Sequence, residues 1–96
     1  MNTIDSIRTS LDPVFREYNV KWAILFGSFA NGIERPNSDI DIFIDRGLRG
    51  LRFYGLLEDV VTTLERPVNL IDASQVREGS KVLDEINRTG ILIYGK

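Results

Sequence analysis

Apolar residues recur at spacings of three and four through the first stretch of the chain: Ile4, Ile7, Leu11, Val14, Phe15 and Tyr18. This marks the buried face of one helix ending at Asn19, with Pro13 positioned either to bend it or to restart it behind Asp12 as N-cap. The period then shortens to two. In VKWAILF, residues 20–26, Val20, Trp22, Ile24 and Phe26 alternate with Lys21, Ala23 and Leu25, leaving both faces apolar enough for a buried strand. Gly27 ends the strand, Ser28 is a natural N-cap, and Gly32 closes a short helix before the polar ERPNS loop.

DIDIFID, residues 39–45, reads as a second strand, with Ile40, Ile42 and Ile44 on one face and Asp39, Asp41, Phe43 and Asp45 on the other. Past Gly47 and Gly50, a second helical stripe runs through Phe53, Leu56, Leu57, Val60, Val61 and Leu64 and stops before Pro67. VNLI, residues 68–71, makes a short strand. Ser74 is placed to cap a last helix carrying Val76, Val82, Leu83 and Ile86, and Gly90 separates it from ILIY, an edge strand or an extended tail. The pattern predicts an α/β (α+β) fold, a small mixed sheet of three to four strands flanked by helices. A chain of 96 residues has room for one core, so residues 1–96 are expected to form a single domain.

Composition narrows the chemistry. The chain holds no cysteine and no histidine, which removes thiolate nucleophiles, the usual zinc ligands and the usual general base. Carboxylates, hydroxyls and backbone amides remain. A net charge of −2 supplies no general attraction to nucleic acid or anionic membrane, and neither is expected as a direct partner. MNTIDSIRTSLD is amphipathic and of mixed charge, unlike a signal peptide, and no apolar run reaches membrane-spanning length, so the expected compartment is the cytoplasm.

Two carboxylates on one face of a strand, two residues apart, repel each other unless a positive charge sits with them. A divalent cation answers this, and all-oxygen donors favour Mg²⁺, which combines one or two carboxylates with substrate phosphate oxygens. The Gly27-Ser28 turn offers the complementary half: backbone N–H groups, a hydroxyl donor, and a glycine that lets phosphate approach the main chain. A metal-bound triphosphate suits both halves. An isolated Asp-x-Asp is usually a solvated strand end, but Gly-Ser at one fixed spacing before it arises by chance on the order of once in a thousand such chains.

Gly27, Ser28, Asp39 and Asp41 match Gly-Ser, ten residues, Asp-x-Asp, and the chain thereby resembles the minimal nucleotidyltransferases of the DNA polymerase beta superfamily. The order of elements and the GILIYGK ending extend the resemblance over essentially the whole chain. It implies the polymerase beta-like fold, triphosphate held by Gly27 and Ser28, and two Mg²⁺ ions bound by Asp39 and Asp41. It also implies transfer of a nucleoside monophosphate, AMP if the donor is ATP, to a hydroxyl with release of pyrophosphate. Many members of this kind act as antitoxins to a HEPN-domain ribonuclease toxin, some by adenylylating a toxin tyrosine, so a HEPN-domain protein is the expected partner.

One position departs from the family. Its third carboxylate, on the short strand after the second helix, is replaced here by Asn69, which occupies the catalytic position but cannot accept a proton. Asp72 lies three residues on, facing the opposite side of the strand unless the strand ends or bulges first. Two other readings stay open: a binding module that keeps nucleotide affinity and neutralises its partner without catalysis, and an unrelated α/β phosphate-binding domain. Arg35, Arg46, Arg49 and Arg52 read as solvated charges with a possible reach to phosphate, Trp22 as core rather than a base platform, and Phe29 and Asn31 as pocket or cap residues.

Overall fold

Ile4–Glu17 form the first helix, α1, opened by a reciprocal cap in which Thr3 accepts from the Ser6 amide and Ser6 accepts from the Thr3 amide. The computed structural model describes residues 3–27, 30, 39–45 and 50–95. Ser28, Phe29, Asn31, Arg35, Arg46 and Arg49, together with the short helix expected after Ser28, lie outside the described residues. Helix α1 passes through Pro13 as one element, so Asp12 starts no new helix. It ends at Glu17 rather than Asn19, because Asn19 takes φ +57°, the left-handed region in which a right-handed helix cannot continue.

The first strand, β1, is Ala23–Phe26, three residues shorter than its alternation suggests. The Val20 amide turns back to the Phe15 carbonyl, and the Lys21 amide donates to the buried Asp45 carboxylate at 3.0 Å. Strand β2, Ile40–Ile44, follows. Helix α2, Leu51–Leu64, begins after Gly50 and stops at Glu65, which takes a left-handed cap conformation. Strand β3, Val68–Asp72, runs one residue beyond the expected VNLI, and helix α3 and strand β4 are Lys81–Thr89 and Ile91–Tyr94.

Between β3 and α3 the expected helix start is corrected. Ser74 sits inside a 3-10 turn, Ala73–Gln75, that Asp72 caps, while α3 is capped by Ser80, which accepts from the Leu83 amide. Val76 therefore precedes α3. Asp72 captures the Ser74 amide at 2.7 Å before any longer helix can form, and Gly79, at φ +80°, turns the chain again ahead of Ser80.

The sheet has the order β3-β2-β1-β4, with β1 antiparallel to both β2 and β4, and β2 parallel to β3. The alternatives for ILIY are thus decided: it is an edge strand. Helices α1 and α2 cover one face over Ile7, Leu11, Phe15, Leu25, Ile40, Ile42, Ile44, Leu56 and Val60, all fully buried. Each such side chain stabilises the fold by about 1.5–3 kcal/mol relative to exposure. Helix α3 covers part of the other face, over Phe26, Phe43 and Ile86. Trp22 packs there too, its ring 5.3 Å from that of Phe43, as a core side chain. Among the described residues no helix is long and apolar enough to cross a membrane.

Candidate functional site

Strand β2 lies between β1 and β3, with Ile40, Ile42 and Ile44 buried under α1 and α2, and this places Asp41 between two neighbours. On one side the antiparallel register pairs Asp41 with Phe26, so the chain leaves β1 at Gly27 beside the Asp41 side chain. On the other side the parallel register pairs Asp41 with Asn69. The Asn69 amide donates to Asp41 Oδ1 at 3.3 Å. Gly27, Asp41 and Asn69 thus meet at one end of the sheet, on the face that α3 partly covers. Asp39 lies exposed just before β2, close enough for its charge to act on Asp41.

Gly27 is required twice over. Its φ of +79° is the left-handed region that glycine alone enters freely, and a Cβ added there would run into Asp41 Oδ2. Its N–H is not free as the sequence suggests. It donates to Thr89 Oγ1 at 3.1 Å, and that hydroxyl in turn donates to the Glu85 carbonyl at 2.8 Å, tying the turn after β1 to the last turn of α3.

Burial is the main cause that lifts the Asp41 carboxyl above its ordinary value, and the Glu85 and Asp39 charges push the same way. The Asn69 hydrogen bond works against them by favouring the ionised form. Glu85 Oε1 stands 3.5 Å from the point a Gly27 Cβ would occupy, on the same side as Asp41. Glu85 and Thr89 were not legible as site residues. Their i, i+4 spacing puts them on one helix face, but nothing in the sequence says that this face meets Gly27.

Asp72 is elsewhere. Alternation along β3 turns it to the α2 face, where it is buried and its Oδ1 caps the 3-10 turn; Oδ2 has no hydrogen-bond partner among the described residues. It does not stand in for Asn69. A groove of about 840 Å³ lined by Arg8, Asp12, Arg16, Lys21, Trp22 and Tyr94, among others, opens beside α1 and β4 and includes none of Gly27, Asp39, Asp41 and Asn69.

Among the described residues no three acidic side chains are grouped closely enough to form a ready metal cluster. That suits Mg²⁺, which is held by one or two carboxylates and completed by substrate phosphate rather than by an all-protein cage. The donor set here is all oxygen, and the Asp41 carboxylate lies directly against the Gly27 main chain.

No curated relative matches the sequence. Solved structures do share the fold. A toxin–antitoxin complex with AMP-PNP aligns at 24% identity and a TM-score of 0.74, over 93% of this chain and 73% of that one. A mutant of the MntA–HpeT toxin–antitoxin pair aligns at 22% identity and TM-score 0.72, over 99% and 75% of the two chains. The complex of a tri-AMPylated Shewanella oneidensis HEPN toxin with its MNT antitoxin aligns at 20% identity and TM-score 0.69, over 98% and 74%. The family model described as polymerase beta, nucleotidyltransferase matches residues 9–96. Strand–glycine turn–strand geometry, the four-stranded mixed sheet and that match over nearly the whole chain place this protein in the polymerase beta nucleotidyltransferase family.

Proposed function

We propose that this protein is a Mg²⁺-dependent nucleotidyltransferase that moves AMP from ATP to a hydroxyl of a HEPN-domain protein partner, and so acts as the antitoxin of a cytoplasmic toxin–antitoxin pair. The observation that carries the reading is the placement of Asp41 against Gly27, with Asp39 just before it, in a chain matched by the nucleotidyltransferase family model. The similar folds seen with AMP-PNP and with an AMPylated HEPN toxin support the nucleotide and the partner.

Asp39 and Asp41 would hold Mg²⁺, with two ions expected, and Mg²⁺ neutralises triphosphate charge and orients the α-phosphate for in-line displacement. Gly27 and Ser28 are the residues proposed to hold the triphosphate. An acceptor hydroxyl oxygen bonds to the α-phosphorus while the bond to the bridging oxygen breaks, and pyrophosphate leaves. The hydroxyl proton passes to solvent water, because the amide at Asn69, whose nitrogen donates to Asp41, cannot accept it.

That amide favours a second reading, in which the protein binds nucleotide and silences its partner by occupation alone. One experiment separates the two. ATP labelled at the α-phosphate, Mg²⁺ and a co-purified HEPN-domain protein should give label on the partner with the native chain and none with Asp41→Asn. Silencing of the partner without any label would replace transfer by occupation, and failure to bind either ATP or the partner would overturn both.

A further inference from the structure

We propose that the first turn of α2 is the docking surface for the protein partner, which meets it with carboxylates set around an apolar cleft. The inference rests on the reading of a protein partner above and says where that partner is held.

Leu51 and Tyr54 are 89% and 66% exposed, and their spacing of three puts them on one face of α2. Two of the three exposed large apolar side chains among the described residues thus share one helical turn. Their backing is fixed. Phe53 packs against the main core and meets the Tyr54 ring edge to face, the centres 5.8 Å apart. On the α1 side the Arg52 guanidinium lies over the Tyr18 ring, 5.5 Å from its centre, and the Tyr18 hydroxyl donates to Asp59 Oδ2 at 2.8 Å. Gly55 admits that ring, since a Cβ there would stand 3.0 Å from the Tyr18 hydroxyl. The turn is therefore braced against α1 while Leu51 and Tyr54 face solvent.

Apolar and aromatic anchors beside arginine on a fixed backbone are the kind of surface that carries most of the energy of a protein interface. From Arg46 to Leu57 the sequence holds three arginines and no acidic residue, in a chain of net charge −2, so the complementary face is acidic. An aliphatic side chain as open as Leu51 gains nothing from nucleic-acid phosphate, and Glu58 and Asp59 on the next turn repel it, which favours protein over RNA. Position fits docking as well. The Ile40 amide donates to the Pro67 carbonyl and Ile40 pairs with Val68, which brings the last turn of α2 to the Asp41 end of the sheet. Leu51, at the start of the helix, stands about 20 Å from that last turn. The grip on the partner is thus separate from the chemistry.

Calorimetric binding of the co-purified HEPN-domain protein to the full chain is the test, with affinity for ATP and Mg²⁺ measured alongside. Leu51→Asp should weaken partner binding at least about tenfold, Tyr54→Ala should weaken it several-fold, and Leu51→Met should bind as the native chain does. Added salt should weaken native binding. Melting temperature and ATP affinity should stay native in these variants, since both side chains are exposed and aspartate suits the first helical position. Native-like partner binding by Leu51→Asp and Tyr54→Ala overturns the docking surface and leaves the nucleotidyltransferase reading standing. A native chain that dimerises alone and becomes monomeric as Leu51→Asp overturns it too, by making the turn a contact between copies. So does a single-stranded RNA oligonucleotide whose binding is lost in Arg52→Glu while partner binding is unchanged. If the native chain binds no HEPN-domain protein, the partner reading fails and this one with it.

Discussion

The side-chain amide of Asn69 donates to Asp41 Oδ1 at 3.3 Å, across a parallel strand pair in which the two residues are register partners. The contact favours the ionised form of a carboxyl that burial and two neighbouring acids otherwise push toward its neutral form. Replacing the amide with a carboxylate exchanges an attraction for a repulsion. Asn69→Asp should therefore lower the melting temperature in chelator, recover it when Mg²⁺ and nucleotide are added, and raise AMP transfer to the partner. A variant equally stable with and without metal would show that position 69 does not face the ion.

Nucleotide binding should depend on metal, and through Asp41. Calorimetry with ATP should show binding with Mg²⁺ and little without it, and Asp41→Asn should reduce binding at least about tenfold, by loss of one anionic ligand. Equal affinity in chelator would refute a metal-bridged triphosphate.

Acid should help the metal-free fold at Asp41. Because its folded carboxyl is lifted above the unfolded value, first by burial, the native state holds a proton there after the unfolded chain has released it. The stability from this group is thus full below the unfolded value and is lost as pH rises through the folded one. In chelator, the native protein should lose stability relative to Asp41→Asn as pH is raised through the mildly acidic range. Parallel melting curves for the two proteins would count against the shift.

Gly27→Ala tests backbone and site together. A side chain at φ +79° carries strain of about 1–3 kcal/mol, and here its Cβ also meets the Asp41 carboxylate. The variant should melt lower and bind ATP with Mg²⁺ more weakly, and a normal melting temperature with normal affinity would rule out the turn geometry described.

Thr89→Val keeps the shape of the side chain and removes the acceptor of the Gly27 N–H. Leaving that half-buried donor unpaired should cost about 1–3 kcal/mol, whereas Thr89→Ser should retain most of the stability. Chemical denaturation of the two variants gives the comparison, and equal loss in both would point to methyl packing instead of the hydrogen bond.

What the sequence by itself determined is local. Spacings of three, four and two set α1, α2 and β2 to within a few residues, because the side-chain period follows from backbone geometry whatever surrounds it. The same alternation correctly turned Asp72 away from Asp41, and the Gly-Ser and Asp-x-Asp spacing pointed to the family that the model match establishes. Where side chains competed for main-chain groups, the reading slipped: Asp45 took the Lys21 amide and shortened β1, and Asp72 took the Ser74 amide and displaced the start of α3 to Ser80. Those partners are fixed by tertiary approach, so no window of sequence contains them. Only the tertiary structure decided that ILIY is the β4 edge strand beside β1, that Asn69 is the register partner of Asp41, and that the Glu85 and Thr89 face of α3 closes over Gly27. Strand order and helix docking join residues as far apart as Gly27 and Thr89, and such long-range pairing is chosen by the burial of whole faces, not by any local pattern.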